Sequence, residues 1–485
     1  MEQSRLIGAP AVPAAAKPVP SGGGIGSALD TILNVVNIAF GAGMLGLPYA
    51  IQGSGLVFGV FGLAAVLLWN FVCCWLLVEL REELMKAREA APAGSELAKM
   101  KGKPASFAAI GSHAMGNWGV ALVHISVVVT LLGASTAYFI TANDLLSQTH
   151  LYLRFEGWSD DTAMYANTVI YMLLMYPVTC IKSLAPLSMF SGPAIAALIA
   201  GFFVVIKLGL DAYGWPSWSE LMQWDALWLP QTFEGFSSFF GVAVFSYGAT
   251  IIIVEIQESM ADPGEFVDSL KTSLWIIWVA YAVLGGITVI IYQQNGEVSA
   301  NVMSDLKGGE AAQQPLKVFI VMATLLTYPL AMQPVSTVFG RALNSLGLGG
   351  APNGSGRKDG YGAVESGAAV ATAVPGTVSI PQAEEDDEAD NLSPTVYFGL
   401  RAVLVLLTGF CATSVPNFGI VVSLLGSFSV TLGSFVLPPL FHYCRFKEKQ
   451  EPYASNVDLG LSLLGAFTCI FCTTTTTIGI FKGGE

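Results

Sequence analysis

Residues 37–50 read Asn-Ile-Ala-Phe-Gly-Ala-Gly-Met-Leu-Gly-Leu-Pro-Tyr-Ala. They lie in an apolar run, 29–53, long enough to cross a bilayer as a helix. Yet Gly41, Gly43, Gly46 and Pro48 crowd into one part of it. Glycine favours an unwound backbone, and proline removes a donor and clashes with the preceding turn. Backbone groups freed in lipid are costly unless buried in protein or lining a watery cavity. The spacing therefore predicts a helix broken in mid-membrane. Its NH groups are offered to a carboxylate, and its carbonyls to an ammonium or a cation. A small-residue packing face of the GxxxG kind would explain the glycines but not Pro48. Asn34, Asn37 and Gly41, spaced i, i+3 and i+7, share a face of the first half. There an amide can help coordinate an ion, cap the half-helix or bond a neighbouring helix.

The rest of the chain supports a membrane reading. It has 485 residues, 53 % of them hydrophobic and only 12 % charged, about half the charge of a soluble domain. This excludes an ordinary soluble enzyme, and disorder for most of the chain. Apolar runs fall at 29–53, 55–80, 117–142, 162–180, 187–210, 236–257, 272–293, 316–340, 395–414, 417–440 and 458–481. They are numbered here as spans 1 to 11. Period-two alternation is absent, which argues against an outer-membrane barrel. One transmembrane domain, 29–481, is expected. Before it lies a disordered tail, 1–28, without a signal-peptide core; within it lies a disordered linker, 342–394; after it comes a short tail, 482–485. With the amino terminus in the cytosol, only Arg154, Lys207, Lys307, Lys317 and Lys482 of the 22 Lys and Arg fall outside. The positive-inside rule thus puts the amino terminus in the cytosol and the carboxyl terminus on the far side. The net charge of −13 owes much to Glu384–Glu388 and Asp390 in the linker, read as a solvated tether. Asn353 and Asn391 match the glycosylation pattern but fall in that cytosolic linker. The seven cysteines show neither metal-ligand spacing nor an extracellular pair. No metal site, enzyme motif or nucleic-acid signature appears.

A second interruption, Ser246-Tyr247-Gly248, sits near the middle of span 6. Paired interruptions in two halves of a transporter point to its binding site. A five-plus-five inverted repeat with one extra helix would bring the breaks of spans 1 and 6 face to face, in opposite orientations. Glu255, near the inner end of span 6, is a carboxylate within the membrane and a candidate for ion coupling. The alternative is an interfacial side chain reaching cytosolic water. His124 in span 3 reads as the only clearly intramembrane histidine, carrying protons or making one structural hydrogen bond. Span 8 sets Thr324, Thr327, Gln333, Ser336 and Thr337 around Pro329 and Pro334, a plausible ion or substrate wall. The hydroxyls of spans 10 and 11 are expected to bond their own helices.

These residues carry a resemblance. NIAFGAGMLGLPYAIQGSG (37–55) resembles the first-helix signature of the amino acid/auxin permease family, and VFSYGATIIIVEIQESM (244–260) its sixth-helix region. MYPVTCIKSLAPLSMFS (175–191) and LTYPLAMQPV (326–335) resemble its fourth-to-fifth connection and eighth helix. The resemblance covers residues 29 to 481. It implies an all-α polytopic membrane protein of about eleven helices with a LeuT-like repeat, transporting amino acids with H⁺ or Na⁺. It also implies a substrate site formed by Gly41, Ala42, Gly43 and Met44 with Ser246, Tyr247 and Gly248. Asn37 and Thr327 match positions associated with Na⁺ in the sodium-coupled branch. The Gly-His common in the sixth helix is Ala249-Thr250 here, and the outer disulfide of the sodium-coupled animal branch cannot form. Both departures favour H⁺.

The expectation is a secondary active transporter, not an enzyme. Its substrate is a small or medium neutral amino acid, because no charged residue flanks either break. The alternative is an amino-acid sensor of the same fold. A channel is disfavoured, since no pore loop or charged ring is evident. Glu2, Leu6 and Ile7 fit an acidic dileucine pattern that a sorting adaptor could bind. The plasma membrane and a vacuolar or lysosomal membrane both remain open.

Overall fold

A computed structural model describes residues 26–181, 191–224, 227–293, 298–306, 313–349, 392–415, 417–448 and 452–482. Most of the 1–28 tail, the sorting pattern, most of the 342–394 linker with its acidic cluster and both Asn motifs, and residues 483–485 lie outside these. Ala28 already begins a helix and span 8 runs on to Ser345, so both expected boundaries shift by a few residues.

Helices form at every apolar run. Span 1 is a bent pair, Ala28–Ala39 and Ala42–Ser54. Ser27 and Asp30 form a reciprocal capping box at its start. Gly55, with φ 86°, turns the chain directly into span 2, Leu56–Ala90. Spans 3 to 5 are Asn117–Leu146, Asp160–Thr179 and Ser191–Tyr213. Span 6 comprises Phe233–Ser246, a 3₁₀ segment Gly248–Ile252 and a short helix Ile253–Glu258. Spans 7 to 9 are Phe266–Tyr292, Gln313–Ser345 and Pro394–Ser414. Span 10 runs through Phe418–Leu425, two π-helical turns at Gly426–Val430 and Leu432–Val436, and Leu437–Phe446. Span 11 is Pro452–Lys482. A short helix, Phe107–Met115, lies between spans 2 and 3.

Among the described residues, nine helices are long and apolar enough to cross a membrane, or ten if the bent pair is one crossing. This agrees with the expected all-α polytopic architecture of about eleven helices, since the runs below that threshold are helical too. Span 4 does form a 20-residue helix, but Asp160, Asp161, Asn167 and Thr168 lower its mean hydropathy.

Burial tells which spans are central. In span 6, 78 % of the most apolar stretch is buried, against 22 % in span 11. The outer faces expose Phe61, Leu173, Phe410, Phe467 and Ile470, a surface suited to lipid rather than water. At the core, Gly241 of span 6 and Gly426 of span 10 abut so closely that a Cβ on either would strike the other helix's backbone. Spans 1 and 6 run antiparallel. Gly26 NH donates to Ser259 O (3.0 Å) and Ala261 NH to Gly26 O (2.9 Å), joining the start of one to the end of the other.

Candidate functional site: two facing helix breaks

The break in span 1 is shorter than its sequence suggests. Only Phe40 and Gly41 leave the helix, and the chain bends there by 58°. Ala42, Gly43 and Met44 already form the first turn of the second half-helix. Pro48 lies inside that half-helix and does not break it. The break expected within 37–50 is thus confined to Phe40 and Gly41. What the site gains is a helix N-terminus in mid-protein, whose first NH groups have no acceptor within their own helix. Met44 NH turns back to Gly41 O at 3.2 Å. Such a terminus favours a carboxylate through its dipole and its aimed NH groups.

In span 6 the regular helix stops at Ser246, with Tyr247 as its cap, and continues as the 3₁₀ turn from Gly248. The two breaks touch. A Cβ on Gly43 would lie 2.6 Å from Ser246 Oγ and 2.7 Å from Ser246 Cα. Gly43 thus serves close contact between spans 1 and 6 rather than open space for a ligand. Room exists one step away. A Cβ on Gly41 would meet only Ile38 O, at 3.3 Å, and one on Gly248 only Val430 Cγ1, at 3.4 Å.

Sequence reasoning missed two residues that hold this arrangement. Tyr281 of span 7 is buried, its Oη 2.5 Å from Ala39 O and 3.0 Å from Ser246 O. One hydroxyl proton is shared by the last carbonyls before both breaks. Tyr281 also packs on Phe40 and Tyr247, with ring centroids 6.1 and 5.5 Å away. Asn70 of span 2 donates from Nδ2 to Tyr247 O (3.2 Å) and to Thr250 Oγ1 (2.7 Å). Thr250, where the resemblance led one to look for a histidine, is engaged in this packing. Tyr281 and Asn70 are polar residues near the middle of apolar spans, a weak signal shared with other positions such as Thr288.

The other candidates are dispersed. Asn37 is half-buried on span 1, and the Oδ1 of neighbouring Asn34 is buried without a hydrogen-bond partner. Thr327 Oγ1 donates to Ala323 O (2.9 Å), one turn back in its own helix. The hydroxyls of Ser429, Thr431, Thr475 and Thr477 behave likewise. Glu255 Oε1 accepts from Phe107 NH (3.3 Å) at the start of the short helix, a placement that suits a carboxylate electrostatically. His124 has its Nε2 buried without a hydrogen-bond partner, and Arg341 is its charged neighbour. A second histidine also lies within a span helix. Span 10 extends to Phe446, past the 440 expected for its end, and encloses His442, which is almost fully buried.

Broken, antiparallel helices tied through the Tyr281 hydroxyl belong to a polytopic helical membrane protein. The chain belongs to the family described as transmembrane amino acid transporter protein, which matches residues 24–481. It is 25 % identical to Amino acid transporter AVT3B of Arabidopsis thaliana, over 94 % of this chain and 95 % of that one. It is 24 % identical to the Vesicular GABA transporter of Caenorhabditis elegans (92 % and 78 % covered). It is also 24 % identical to Vacuolar amino acid transporter 4 of Saccharomyces cerevisiae (66 % and 41 % covered). Among solved structures, the crystal structure of MhsT in complex with L-phenylalanine is similar with a TM-score of 0.48 and 11 % identity, covering 94 % of this chain and 98 % of that one.

Proposed function

We propose that this protein is an H⁺-coupled secondary transporter of small or medium neutral amino acids, working by alternating access around the breaks of spans 1 and 6. In this reading the two halves form a five-plus-five inverted repeat. The observation that carries it is the pair of touching breaks joined by Tyr281. The substrate carboxylate meets the first-turn NH groups of Ala42 and Gly43, and its ammonium meets carbonyls beside Gly41 and Tyr247. The side chain takes the room beside Gly41 and Gly248. Thr327's bond within its own helix supports H⁺ over Na⁺ as the coupling ion. The names of the vacuolar and vesicular relatives favour an internal membrane; if its lumen is acidic, H⁺ coupling would move amino acids from the lumen to the cytosol.

The test is uptake of neutral amino acids into proteoliposomes under an imposed pH or Na⁺ gradient. Accumulation driven by pH, with choline in place of Na⁺, supports the reading. A strict Na⁺ requirement overturns the coupling and promotes Asn37 and Thr327. Binding without flux would favour a sensor.

A further inference from the structure

His442 stands at the inner end of span 10 between two carboxylates from other spans. Its Nδ1 is 2.8 Å from Asp458 Oδ2 of span 11, and its Nε2 is 3.0 Å from Glu79 Oε2 of span 2. A neutral imidazole has one N–H and one bare nitrogen; only the imidazolium donates at both. With a proton added, His442 bridges three spans. Without it, a bare nitrogen faces a carboxylate and one contact fails. We propose that His442 is the proton-binding site coupled to transport, an inference that rests on the H⁺-coupled reading above.

The surroundings favour that role. The His442 and Asp458 side chains are buried, whereas that of Glu79 is 38 % exposed and gives the site a route to water. Release is then simple. The Nε2–H bond breaks, its proton passes to Glu79 Oε2, and the resulting carboxylic acid gives it to water. Imidazole is left neutral, with Nδ1–H still donating to Asp458. The next layer is already paired. Glu83 of span 2 holds Arg445 of span 10 (2.7 Å) and His113 of the short helix (2.8 Å). Burial and the Arg445 charge hold His113 below the ordinary histidine range, against the pull of Glu83. Span 3 also packs against this end of span 10, but the charged neighbour of its His124 is Arg341 of span 8.

Span 10 also connects this site to the breaks. Above His442 it passes through the two π-helical turns, a geometry frequent at functional sites. There Ser429 accepts from Ser126 (2.7 Å) and Thr130 (2.9 Å) of span 3, and Val430 faces Gly248 of the span 6 break. A change in what holds the inner end of span 10 reaches the substrate site through one continuous helix.

The experiment compares wild type, His442→Gln and His442→Arg in proteoliposomes, measuring accumulation driven by a pH gradient and counterflow exchange, which moves no net proton. Both variants should lose accumulation by about tenfold or more while exchange persists. Arg keeps the charge but cannot release it, so it restores a merely structural bridge and not coupling. Accumulation at wild-type level in His442→Gln, or its restoration by His442→Arg, overturns the proposal. Wild-type exchange without pH-driven accumulation overturns H⁺ coupling itself, and the proposal with it. A second arm is independent of transport: histidine-labelled protein carries four imidazoles, and the resonance absent from His442→Gln identifies His442. Both of its nitrogens should be protonated at about pH 7; a single bare nitrogen from about pH 5 upward overturns the proposal.

Discussion

At the scale of single residues, the candidate site depends on two atoms that leave little freedom. Gly43 faces Ser246 Cα at a distance no side chain can occupy, and the obstacle is backbone, which cannot swing aside. Gly43→Ala should therefore push spans 1 and 6 apart, costing about 1–3 kcal/mol as overpacking does, and should strongly reduce uptake. Wild-type transport by that variant would contradict the close contact. Tyr281→Phe removes the proton shared by Ala39 O and Ser246 O while keeping the ring. Leaving a buried carbonyl unpaired costs about 1–3 kcal/mol. Uptake and thermal unfolding should both fall, and unchanged values of both would show that the bonds are dispensable.

Whole elements are held at their irregular points by neighbours, as the 3₁₀ turn of span 6 is held by Asn70 of span 2. Asn70→Leu and Thr250→Val should each weaken uptake. Their double mutant should be little worse than Asn70→Leu, because both remove one contact; additive losses would separate the two residues. Further along, Arg81 Nε and Glu258 Oε1 form a 2.6 Å pair with both side chains nearly buried. Arg81→Met strands a buried carboxylate, at a cost of about 3–5 kcal/mol. Adding Glu258→Gln should recover much of the thermal stability. At this scale the sequence was partly legible. Glycine and proline marked the span 1 break because they act on their own backbone. Pro48 misled because it fits within the second half-helix, where the burial of that segment offsets its missing donor. Tyr281 and Asn70 were invisible as supports, since each acts on a carbonyl more than thirty residues away. The His442 triad joins positions separated by 363 residues, and hydropathy ended span 10 just short of it.

The whole molecule has a sidedness that charge and geometry approach from different directions. The start of span 1 bonds the end of span 6, and Glu83 near the end of span 2 pairs with Arg445 near the end of span 10 and with His113. The basic segments 81–103 and 445–447 flank these contacts. The positive-inside rule gives the expectation that this face is cytosolic, which would put the Trp218–Met222 helix on the opposite side. The seven native cysteines complicate labelling, but four are buried: Cys73, Cys74, Cys469 and Cys472. With a membrane-impermeant thiol reagent on sealed vesicles whose cytosolic face is outward, Ala98→Cys should label and Ser219→Cys should label only after permeabilisation. The reverse pattern would invert the protein and move the His442 site to the lumenal side. Destination is a separate matter. If the Glu2, Leu6, Ile7 pattern directs the chain to an acidic compartment, changing Leu6 and Ile7 to Ala should shift the tagged protein to the cell surface. Its outer loops would then face neutral medium rather than acid, and H⁺-driven export to the cytosol would become uptake that rises as the medium is acidified. An unchanged location would remove the motif from sorting. Surface arrival without acid-stimulated uptake would count against H⁺ coupling in the whole protein, whatever the vesicle measurements gave for its parts.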